Sequence, residues 1–492
     1  MNYKMMGRFI AQIILIEMAF LLPALLISLG YGEADAVSGF LYTLAIMGAL
    51  SGLLFLICRK AGRLFGAREG LVCVGLSWIV LSILGCLPFF FSGRIPNFID
   101  AIFETVSGFT TTGASILSGA AVEALPKGLL YWRSFTHWVG GMGVLVFLLA
   151  ISTGSERGAG FTMHLMRAES PGPDVGKLVP KMKQTATILY TIYVVMTLMN
   201  VIFLLLGNLW DPGCISLLDA ICTAFGTAGT GGFGVKADSI ASFSTYIQIV
   251  TTVFMFLFGI NFSCYYLLLL KQFRSVFKDE ELRVYISIVV IAIILITLNI
   301  YTSYQSTAMA LKDAAFQVSS IMTTTGYTTA NFDAWPAFSK GILLMLMIVG
   351  ACAGSTGGGA KVARVLLIFK ILRRNIRKIL NPRKVMVVRN NGKPVDEKVL
   401  ENTNAYLAAY LIIIVACYLI ISLDGQTIGT NLSAVLACFN NIGPGMEAVG
   451  PMADYSIYGN LSTLTLSVAM LAGRLEIFPI LVLLSRSTWN GH

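Results

Sequence analysis

Four short segments of this chain resemble one another, and each contains a glycine. The glycines Gly113, Gly231, Gly326 and Gly443 are separated by 118, 95 and 117 residues. A period of this length fits a whole structural unit repeated four times rather than one turn of a solenoid. Glycine permits the positive φ angles that turn backbone carbonyls toward an axis, as a cation filter requires. The sequence therefore predicts four equivalent loops around one central pore. The segments are Thr110–Ala114, Gly229–Gly232, Thr323–Tyr327 and Asn440–Gly445.

The rest of the chain is strongly apolar. Of its 492 residues, 56% are hydrophobic and 12% are charged, whereas soluble domains carry about 25% charged residues. A helix needs roughly 20 apolar residues to cross a hydrocarbon core of about 30 Å. We therefore predict an all-α integral membrane protein whose first apolar stretch is a retained helix rather than a signal peptide. Ten stretches meet that length, at about residues 9–30, 38–58, 70–92, 128–152, 185–207, 246–270, 284–304, 337–372 (interrupted), 404–423 and 460–484.

The net charge of +10 is distributed unevenly along the chain. Lys and Arg collect in alternate loops, most densely between Arg373 and Arg389, while the intervening loops carry mainly acidic residues such as Glu33, Asp238 and Glu447. This is the positive-inside pattern of membrane proteins. It predicts that both termini are cytoplasmic and that the four glycine loops face the outside, and it argues against nucleic-acid binding.

A short, moderately apolar segment precedes each glycine loop. Asp100, Asp219, Asp313 and Asn431 stand 12 or 13 residues before the four glycines, and these residue types are strong helix N-caps. We therefore expect four pore helices whose negative C-terminal dipole ends point at a cation. The predicted unit is span, pore helix, filter and span. It is repeated pseudo-symmetrically at residues 68–183, 184–283, 284–402 and 403–492, after an N-terminal helix pair at 1–67.

Main-chain carbonyls of three residues in each loop are predicted to bind a dehydrated cation. Threonine side chains would stiffen these loops by hydrogen bonding to nearby backbone. Each loop has one well-placed glycine rather than two, so we expect weaker ion discrimination than in a filter with two glycines per loop. The predicted ligands are Thr111, Thr112, Gly113, Gly229, Thr230, Gly231, Thr324, Thr325, Gly326, Asn441, Ile442 and Gly443.

Other site chemistries find little support in the sequence. His137, His164 and His492 form no metal cluster, and His137 is interpreted as a hydrogen-bonded packing residue. The nine cysteines lack CxxC spacing and are interpreted as small buried hydrophobes, with a Cys214–Cys222 pairing left open. The motifs HExxH and GxSxG are absent, so the chain is not predicted to be an enzyme.

The eighth apolar stretch is interrupted by a glycine-rich segment that begins at Gly354 and ends at Lys361. Each glycine costs a helix about 1 kcal/mol relative to alanine, so the helix breaks here. A phosphate-binding loop is one alternative, but residue 360 is alanine where that motif requires lysine, and no strand precedes it. A passive kink remains a second alternative.

Arg474 lies inside the last apolar stretch. An arginine at membrane depth costs at least about 2.5 kcal/mol and generally faces a cavity or a partner. One interpretation places it in the pore below the filter, where it would oppose the passage of cations. The alternative is a structural ion pair with Glu476 or another carboxylate. Since residues two apart do not share a helix face, the pore role is favoured.

Together these motifs resemble the Trk/Ktr/HKT superfamily of potassium transporters, and most closely its bacterial TrkH branch. The resemblance covers nearly the whole chain, and the helix pair at 1–67 is similar to that branch. It is carried by Val106–Gly113, His137–Gly143, Gly354–Gly359 and Asn440–Gly445.

The resemblance implies potassium uptake across a bacterial inner membrane, with potassium as the substrate. It also implies a homodimer and a cytosolic, nucleotide-binding regulatory partner of the TrkA type, so that any nucleotide is bound by the partner. In the superfamily a serine at the first filter glycine accompanies sodium permeation, and Gly113 therefore favours potassium. The resemblance further implies that an intramembrane loop blocks the pathway below the filter. The predicted gate comprises Gly354, Ser355, Thr356, Gly357, Gly358, Gly359, Lys361 and Arg474.

Two functional alternatives remain open at this point. The favoured one is a potassium-selective translocation subunit without a covalent cofactor, gated by its cytosolic partner. The other is a proton- or sodium-coupled symporter that uses the same pore. The basic cytoplasmic segments 271–283 and 373–398 would either dock the partner or serve only as topology signals.

Overall fold

The computed structural model describes residues 1–59, 67–143, 182–384 and 386–489. Nearly all regular structure in these ranges is helical, apart from one two-stranded hairpin. Among the described residues, six helices are long and apolar enough to cross a bilayer, and the number of spans becomes seven if one bent pair is counted as a span. The fold class predicted from the sequence, an all-α membrane protein, is confirmed. Residues 144–152 of the predicted span 128–152 and the histidines at 164 and 492 lie outside the described residues.

An N-terminal helix pair precedes the first repeat. Its helices, α1 (Tyr3–Tyr31) and α2 (Ala34–Ile57), pack against each other, and α1 also contacts two helices of the first repeat. That repeat contains α3 (Ala67–Gly85), α4 (Leu87–Phe91), the pore helix α5 (Phe98–Phe109), α6 (Gly119–Glu123) and α7 (Lys127–Met142).

The second repeat shares with the first the order of a first span, a pore helix and a second span. It consists of α8 (Met182–Leu206), the pore helix α9 (Leu217–Gly229), α10 (Thr245–Phe258), α11 (Phe262–Leu269) and the short α12 (Phe273–Lys278). The helices α10 and α11 form the bent pair, with an angle of 89° between them.

The third and fourth repeats follow. The third contains α13 (Glu280–Ile300), the pore helix α14 (Thr307–Met322), α15 (Ala337–Val349), α16 (Val362–Leu380) and an antiparallel hairpin of β1 (Arg389–Asn390) and β2 (Lys393–Pro394). The fourth contains α17 (Glu397–Ile421), the pore helix α18 (Ile428–Phe439), α19 (Asn460–Arg474), α20 (Phe478–Leu484) and α21 (Arg486–Trp489). The predicted repeats begin within the first two turns of α3, α8, α13 and α17, and these divisions of the chain remain a prediction.

The second span of the later repeats is a broken helix rather than one continuous helix. The break lies between α10 and α11, between α15 and α16, and between α19 and α20. In the first repeat α7 ends at Met142, just before the described residues stop. The predicted stretches 246–270 and 460–484 are therefore not single helices, whereas the stretch 337–372 is interrupted as predicted. Hydropathy alone does not show where the backbone leaves helical geometry.

The pore helices begin earlier than predicted. Their N-caps are Asn97, Ser216, Ser306 and Thr427, whose side chains accept hydrogen bonds from backbone amides of the first turn. Asp100, Asp219, Asp313 and Asn431 lie inside these helices, so their assignment as caps was wrong. With 12 to 16 residues each, the pore helices are too short to cross a bilayer.

The four repeats close into a ring. The pore helix α9 packs against α7 of the preceding repeat, α14 packs against α10, and α18 packs against α15. The first pore helix, α5, packs against α19 of the last repeat. Because every pore helix contacts the second span of the repeat before it, the four loops that follow these helices meet around one axis.

Candidate ion filter and the loop beneath it

All four pore helices end in the same way. A residue in the left-handed region follows each helix: Thr111, Thr230, Thr324 and Asn441, with φ between 55° and 56°. Its N–H donates to the carbonyl three residues back, and the next N–H donates to the carbonyl five residues back. This is the hydrogen-bond pattern of a Schellman C-cap. The four loops thus share one backbone geometry, and their residues can be equated one by one.

Matching the four loops residue by residue shifts the predicted ligand residues of the second loop by one position. Thr111, Thr112 and Gly113 correspond to Thr230, Gly231 and Gly232, because Gly232, not Gly231, has the positive φ of 76°. The predicted set Gly229, Thr230 and Gly231 begins one residue early, and Gly229 is the last residue of α9. Two adjacent glycines made both positions plausible in the sequence. The other three loops keep their predicted positions.

The third residue of each loop packs against the neighbouring loop. A β-carbon at Gly113 would overlap the carbonyl oxygen of Gly231, and one at Gly232 would overlap that of Thr325. Gly326 stands in the same relation to Ile442, and Gly443 approaches Thr112, which completes the circle. The ring therefore has room for glycine alone at these positions, and its second-position carbonyls lie at the contacts between loops.

Side-chain hydrogen bonds link residues within and between the buried loops. The hydroxyls of Thr110 and Thr112 are 2.8 Å apart, as are those of Thr323 and Thr325. The amide of Asn441 donates to Thr112 Oγ1 at 3.0 Å, which ties the fourth loop to the first. The expected bonds to nearby backbone are also present, since Thr110 Oγ1 and Thr323 Oγ1 donate to the carbonyls of Val106 and Ser319 at 2.6 and 2.7 Å.

A cavity of about 110 Å³ opens at one end of the ring, lined by Gly113, Gly232, Gly326 and Gly443 together with the segments that leave the loops. The chain enters each loop from the pore helix at the opposite end. We call these the outer and inner ends of the ring, following the orientation predicted from the charge pattern.

The glycine-rich segment 350–361 packs against the inner end. The N–H of Gly358 donates to Thr324 Oγ1 at 2.6 Å. A β-carbon at Gly358 would overlap the carbonyl oxygen of Asn440, and one at Gly357 would lie 2.8 Å from that of Thr323. Ser355 and Thr356 are buried. The segment is therefore a folded loop seated beneath the third and fourth filter loops, not a simple helix kink.

Lys361 points back into its own loop. Its Nζ donates to the carbonyl of Gly357, and the side chain is buried. The residue has a positive φ of 74° and precedes α16. No strand leads into this loop among the described residues, so the arrangement does not match a phosphate-binding loop.

Arg474 joins the loop to the first repeat. Its Nη1 donates to the carbonyl of Thr356 at 2.9 Å, and its Nη2 donates to those of Gly140 and Gly141 at 2.5 and 2.6 Å. These glycines lie in the last turn of α7, where carbonyls carry the negative end of the helix dipole. Glu476, one of the carboxylates considered as a partner of Arg474, pairs with Arg364 on α16.

Comparisons with known proteins agree with this architecture. A family model described as a cation transport protein, TrkH, matches residues 37–489. The Trk system potassium uptake protein TrkH of Escherichia coli K12 is 33% identical over 497 residues, covering 100% of both chains. The TrkG protein of the same organism is 30% identical over 481 residues, covering 96% of this chain and 95% of its own. The crystal structure of the potassium transporter TrkH from Vibrio parahaemolyticus superposes with a TM-score of 0.86 at 31% identity, covering 100% of both chains.

The chain belongs to the TrkH family. The resemblance inferred from its motifs is thereby confirmed, as is the conclusion that the chain is a transport protein rather than an enzyme. As a TrkH-family member with many apolar helices, it is a multi-pass membrane protein.

Sequence reasoning missed a buried ion pair beside the first filter loop. Arg133 Nε lies 2.6 Å from Glu104 Oε1, and both side chains are at most 3% exposed. Glu104 also accepts from Ser115 and Ile116 as the chain leaves the loop, while Arg133 donates to the Gly234 carbonyl at 3.1 Å. The pair therefore fixes the outer exits of two neighbouring loops. Opposite charges in two apolar segments of one repeat were a signal that could have revealed it.

His137 connects the same two loops deeper in the protein. Its Nδ1 donates to the Gly108 carbonyl at 2.7 Å, so its Nε2 is the acceptor for the Phe233 N–H at 3.2 Å. The prediction that His137 is a hydrogen-bonded packing residue is confirmed. The structure adds that it spans from the first pore helix to the second filter loop.

The cysteines are all among the described residues, and none of the nine forms a disulfide. Cys214 instead lies near Asn208, with Sγ 3.3 Å from Oδ1, and Cys222 is buried in α9. Within the described ranges, no group of three or more His, Cys, Asp or Glu side chains could hold a metal ion.

Proposed function

We propose that this chain is the potassium-translocating subunit of a Trk-type uptake system in a bacterial inner membrane. The observation that carries the proposal is the closed ring in which each third-position glycine packs against a carbonyl of the next loop. Backbone carbonyls around an axis can replace the hydration shell of a cation. The negative ends of four pore helices add to the attraction. The named substrate of the E. coli and V. parahaemolyticus relatives, potassium, fits such a site.

The ligands in this proposal are the main-chain carbonyls of three residues in each loop, beginning with the left-handed residue after the pore helix. They belong to residues 111–113, 230–232, 324–326 and 441–443. The second set differs by one residue from the set predicted from the sequence. Potassium is the transported ion and not a resident cofactor.

The loop 350–361 and Arg474 form the gate in this proposal. The loop lies beneath the ring, and Arg474 ties it to the end of α7 through three hydrogen bonds. A guanidinium at this position places a positive charge near the ion pathway, which opposes the passage of cations. Opening would require the loop to leave Thr324 and Arg474 to release Thr356.

Reconstitution into liposomes tests this function. Purified protein should carry potassium down a fixed voltage, and it should restore growth at low potassium in a host that lacks uptake. The same flux with and without a pH or sodium gradient separates a gated pathway from coupled symport. Protein that folds correctly but carries no potassium under any of these conditions would contradict the proposal.

A cytosolic nucleotide-binding partner is the regulator in this proposal, acting on a homodimer whose termini are cytoplasmic. Support comes from a cavity of about 610 Å³ lined by Lys370, Arg373, Arg374, Arg377, Lys384 and Arg389. It adjoins α16, the helix that leads directly out of the gate loop. A basic surface attracts an acidic partner surface more weakly as salt rises.

Charge neutralisation tests this surface. Replacing Arg373, Arg374, Arg377 and Lys378 by Gln should weaken association with the co-encoded cytosolic protein. The difference in affinity from wild type should shrink at high salt. Gln at Lys4 and Arg8, on the N-terminal segment, is the control. If the affinity for the cytosolic protein is the same with and without all four substitutions, this surface is not part of the interface.

A further inference from the structure

The carboxylate of Glu281 binds backbone amides on both sides of the glycine-rich stretch 354–359. We call these two points, at Ala353 and Ala363, the feet of the loop 350–361. Glu281 Oε1 accepts a hydrogen bond from the Ala353 N–H at 2.5 Å and from the Ala363 N–H at 3.2 Å. Ala353 lies before the glycine-rich stretch, and Ala363 lies just after it, in the first turn of α16. Glu281 itself is in the first turn of α13, at the beginning of the same repeat.

Glu281 also provides the side-chain acceptor that the first turn of α16 lacks at its own N-cap. The N-cap of this helix, Lys361, makes no side-chain capping bond, although the first N–H groups of a helix have no partners within the helix. A carboxylate at this position satisfies one such donor and interacts favourably with the helix dipole. The start of α16, and with it the end of the loop, is therefore positioned by a residue of α13.

The same end of α13 holds the cytoplasmic hairpin. Asn391, at the turn between β1 and β2, donates to Asp279 Oδ2 and accepts from the Glu280 N–H, both at 2.8 Å. Lys370 of α16 pairs with Glu280 and donates to the Arg389 carbonyl. Three consecutive acidic residues, Asp279 to Glu281, thus contact the hairpin on one side and the feet of the loop on the other.

We infer that Glu281 is a positioning residue that keeps the loop in its blocking conformation, and that the hairpin 389–394 acts on the loop through it. This inference rests on the proposed role of the loop as the gate. Movement of the hairpin would displace the start of α13 and draw the carboxylate away from the two amides. The loop would then lose the cross-link between its feet, and its departure from Thr324 would become easier.

The test compares variants of the full chain in liposomes without any partner. Glu281→Met keeps the length of the side chain but removes the acceptor, so basal potassium flux should rise by about tenfold, as expected from losing hydrogen bonds to a charged group. Glu281→Gln retains an acceptor oxygen and should stay near the wild-type flux. Glu401→Met, on the exposed surface of α17, is the matched control.

If the Glu281→Met protein does not fold, Glu281→Asp serves as the test in its place. Its shorter side chain cannot reach both amides, so basal potassium flux should also rise. Wild-type basal flux in folded Met or Asp variants would overturn the inference. A protein shortened within 354–359 separates this failure from that of the gate itself. When shortening raises flux and Glu281→Met adds nothing further, Glu281 acts through the loop. When shortening changes nothing, the proposed gate is wrong.

Hydrogen exchange tests the link to the hairpin. Asn391→Ala removes the contacts with Asp279 and Glu280 and should speed amide exchange in residues 350–363, less than Glu281→Met does. Exchange in this segment that is identical to wild type would exclude the hairpin from the mechanism.

Discussion

Gly113 has a φ of 79° and faces a neighbouring carbonyl, so two independent constraints exclude a side chain there. A serine would strain the backbone and displace the carbonyl of Gly231 from the ring. Gly113→Ser should therefore raise sodium permeability relative to potassium several-fold, measured as a reversal-potential shift or by paired flux assays. Gly93→Ser is the matched control, since Gly93 has a φ of 72° but open space around it. An unchanged ratio in folded Gly113→Ser protein would refute the filter assignment.

Arg474 contributes both charge and hydrogen bonds. Replacing it by alanine removes the positive charge and frees the carbonyls of Thr356, Gly140 and Gly141, so potassium flux should increase. Arg474→Lys keeps the charge but cannot make the same three bonds, so it should give a smaller increase. A large fall in Tm without any gain in flux would show that the residue only holds the fold together.

For single residues, the sequence predicted which positions matter better than it predicted which residues they contact. The motif around Gly113 predicted its position in the ring, because positive φ and close packing are local requirements. The second loop was displaced by one residue, since Gly231 and Gly232 are indistinguishable until neighbouring loops are placed. The hydrogen-bond acceptors of Arg474 named above lie on α7 and in the loop 350–361, more than a hundred residues away, and no local pattern contains them.

Among the helices, α18 has an unusual cap. Glu447, on the segment after the fourth loop, accepts hydrogen bonds from the hydroxyls of Thr427 and Thr430 at the start of this pore helix. These bonds, chiefly that from Thr427, lower the pKa of the Glu447 carboxyl below its ordinary value of 4.5. The charged form thus stabilises the folded protein above pH 4.5, and this contribution is lost as pH falls through the lowered pKa.

Glu447→Gln should consequently lower Tm slightly at pH 7. The difference from wild type should stay constant down to about pH 5 and shrink below the ordinary carboxyl pKa. Asp211→Asn, on an exposed loop, is the control. A difference between Glu447→Gln and wild type that grows on acidification would contradict the assigned bonds.

The pore helices were predicted in the right places, but their first residues were not. Asp100 and Asp219 are the third residues of their helices, where acidic side chains are also common, so composition placed the caps too late. The breaks in the second spans were visible only at the glycine-rich 354–359. Those after Phe258 and Arg474 contain no comparable run of glycines.

Over the whole molecule, the proposed filter joins all four loops in one site, so an ion bound there should stabilise the entire ring. An ion held at a hundred times its Kd adds about 2.7 kcal/mol to the free energy of unfolding. Tm in detergent should therefore rise with potassium concentration more than with sodium at equal ionic strength. Gly113→Ser should reduce that difference. Equal responses of the wild-type protein to both salts would argue against a potassium-selective site.

The overall arrangement was predictable because the repeat is long and its glycines recur at similar intervals. The order of packing around the axis was not, since the contact between α5 and α19 joins the first repeat to the last. The differences between repeats were also hidden. Among the described residues the third repeat has the longest break in its second span, and the fourth places an arginine beside its own break.

Because one gene encodes all four loops of the ring separately, a mutation can change one loop without changing the other three. In a channel of four identical chains, every substitution in the filter alters all four walls together. Here a change at Gly326 leaves the codons for Gly113, Gly232 and Gly443 untouched. Mutation can therefore shift ion preference in small steps, and one quarter can acquire a moving part while the others keep the pore intact.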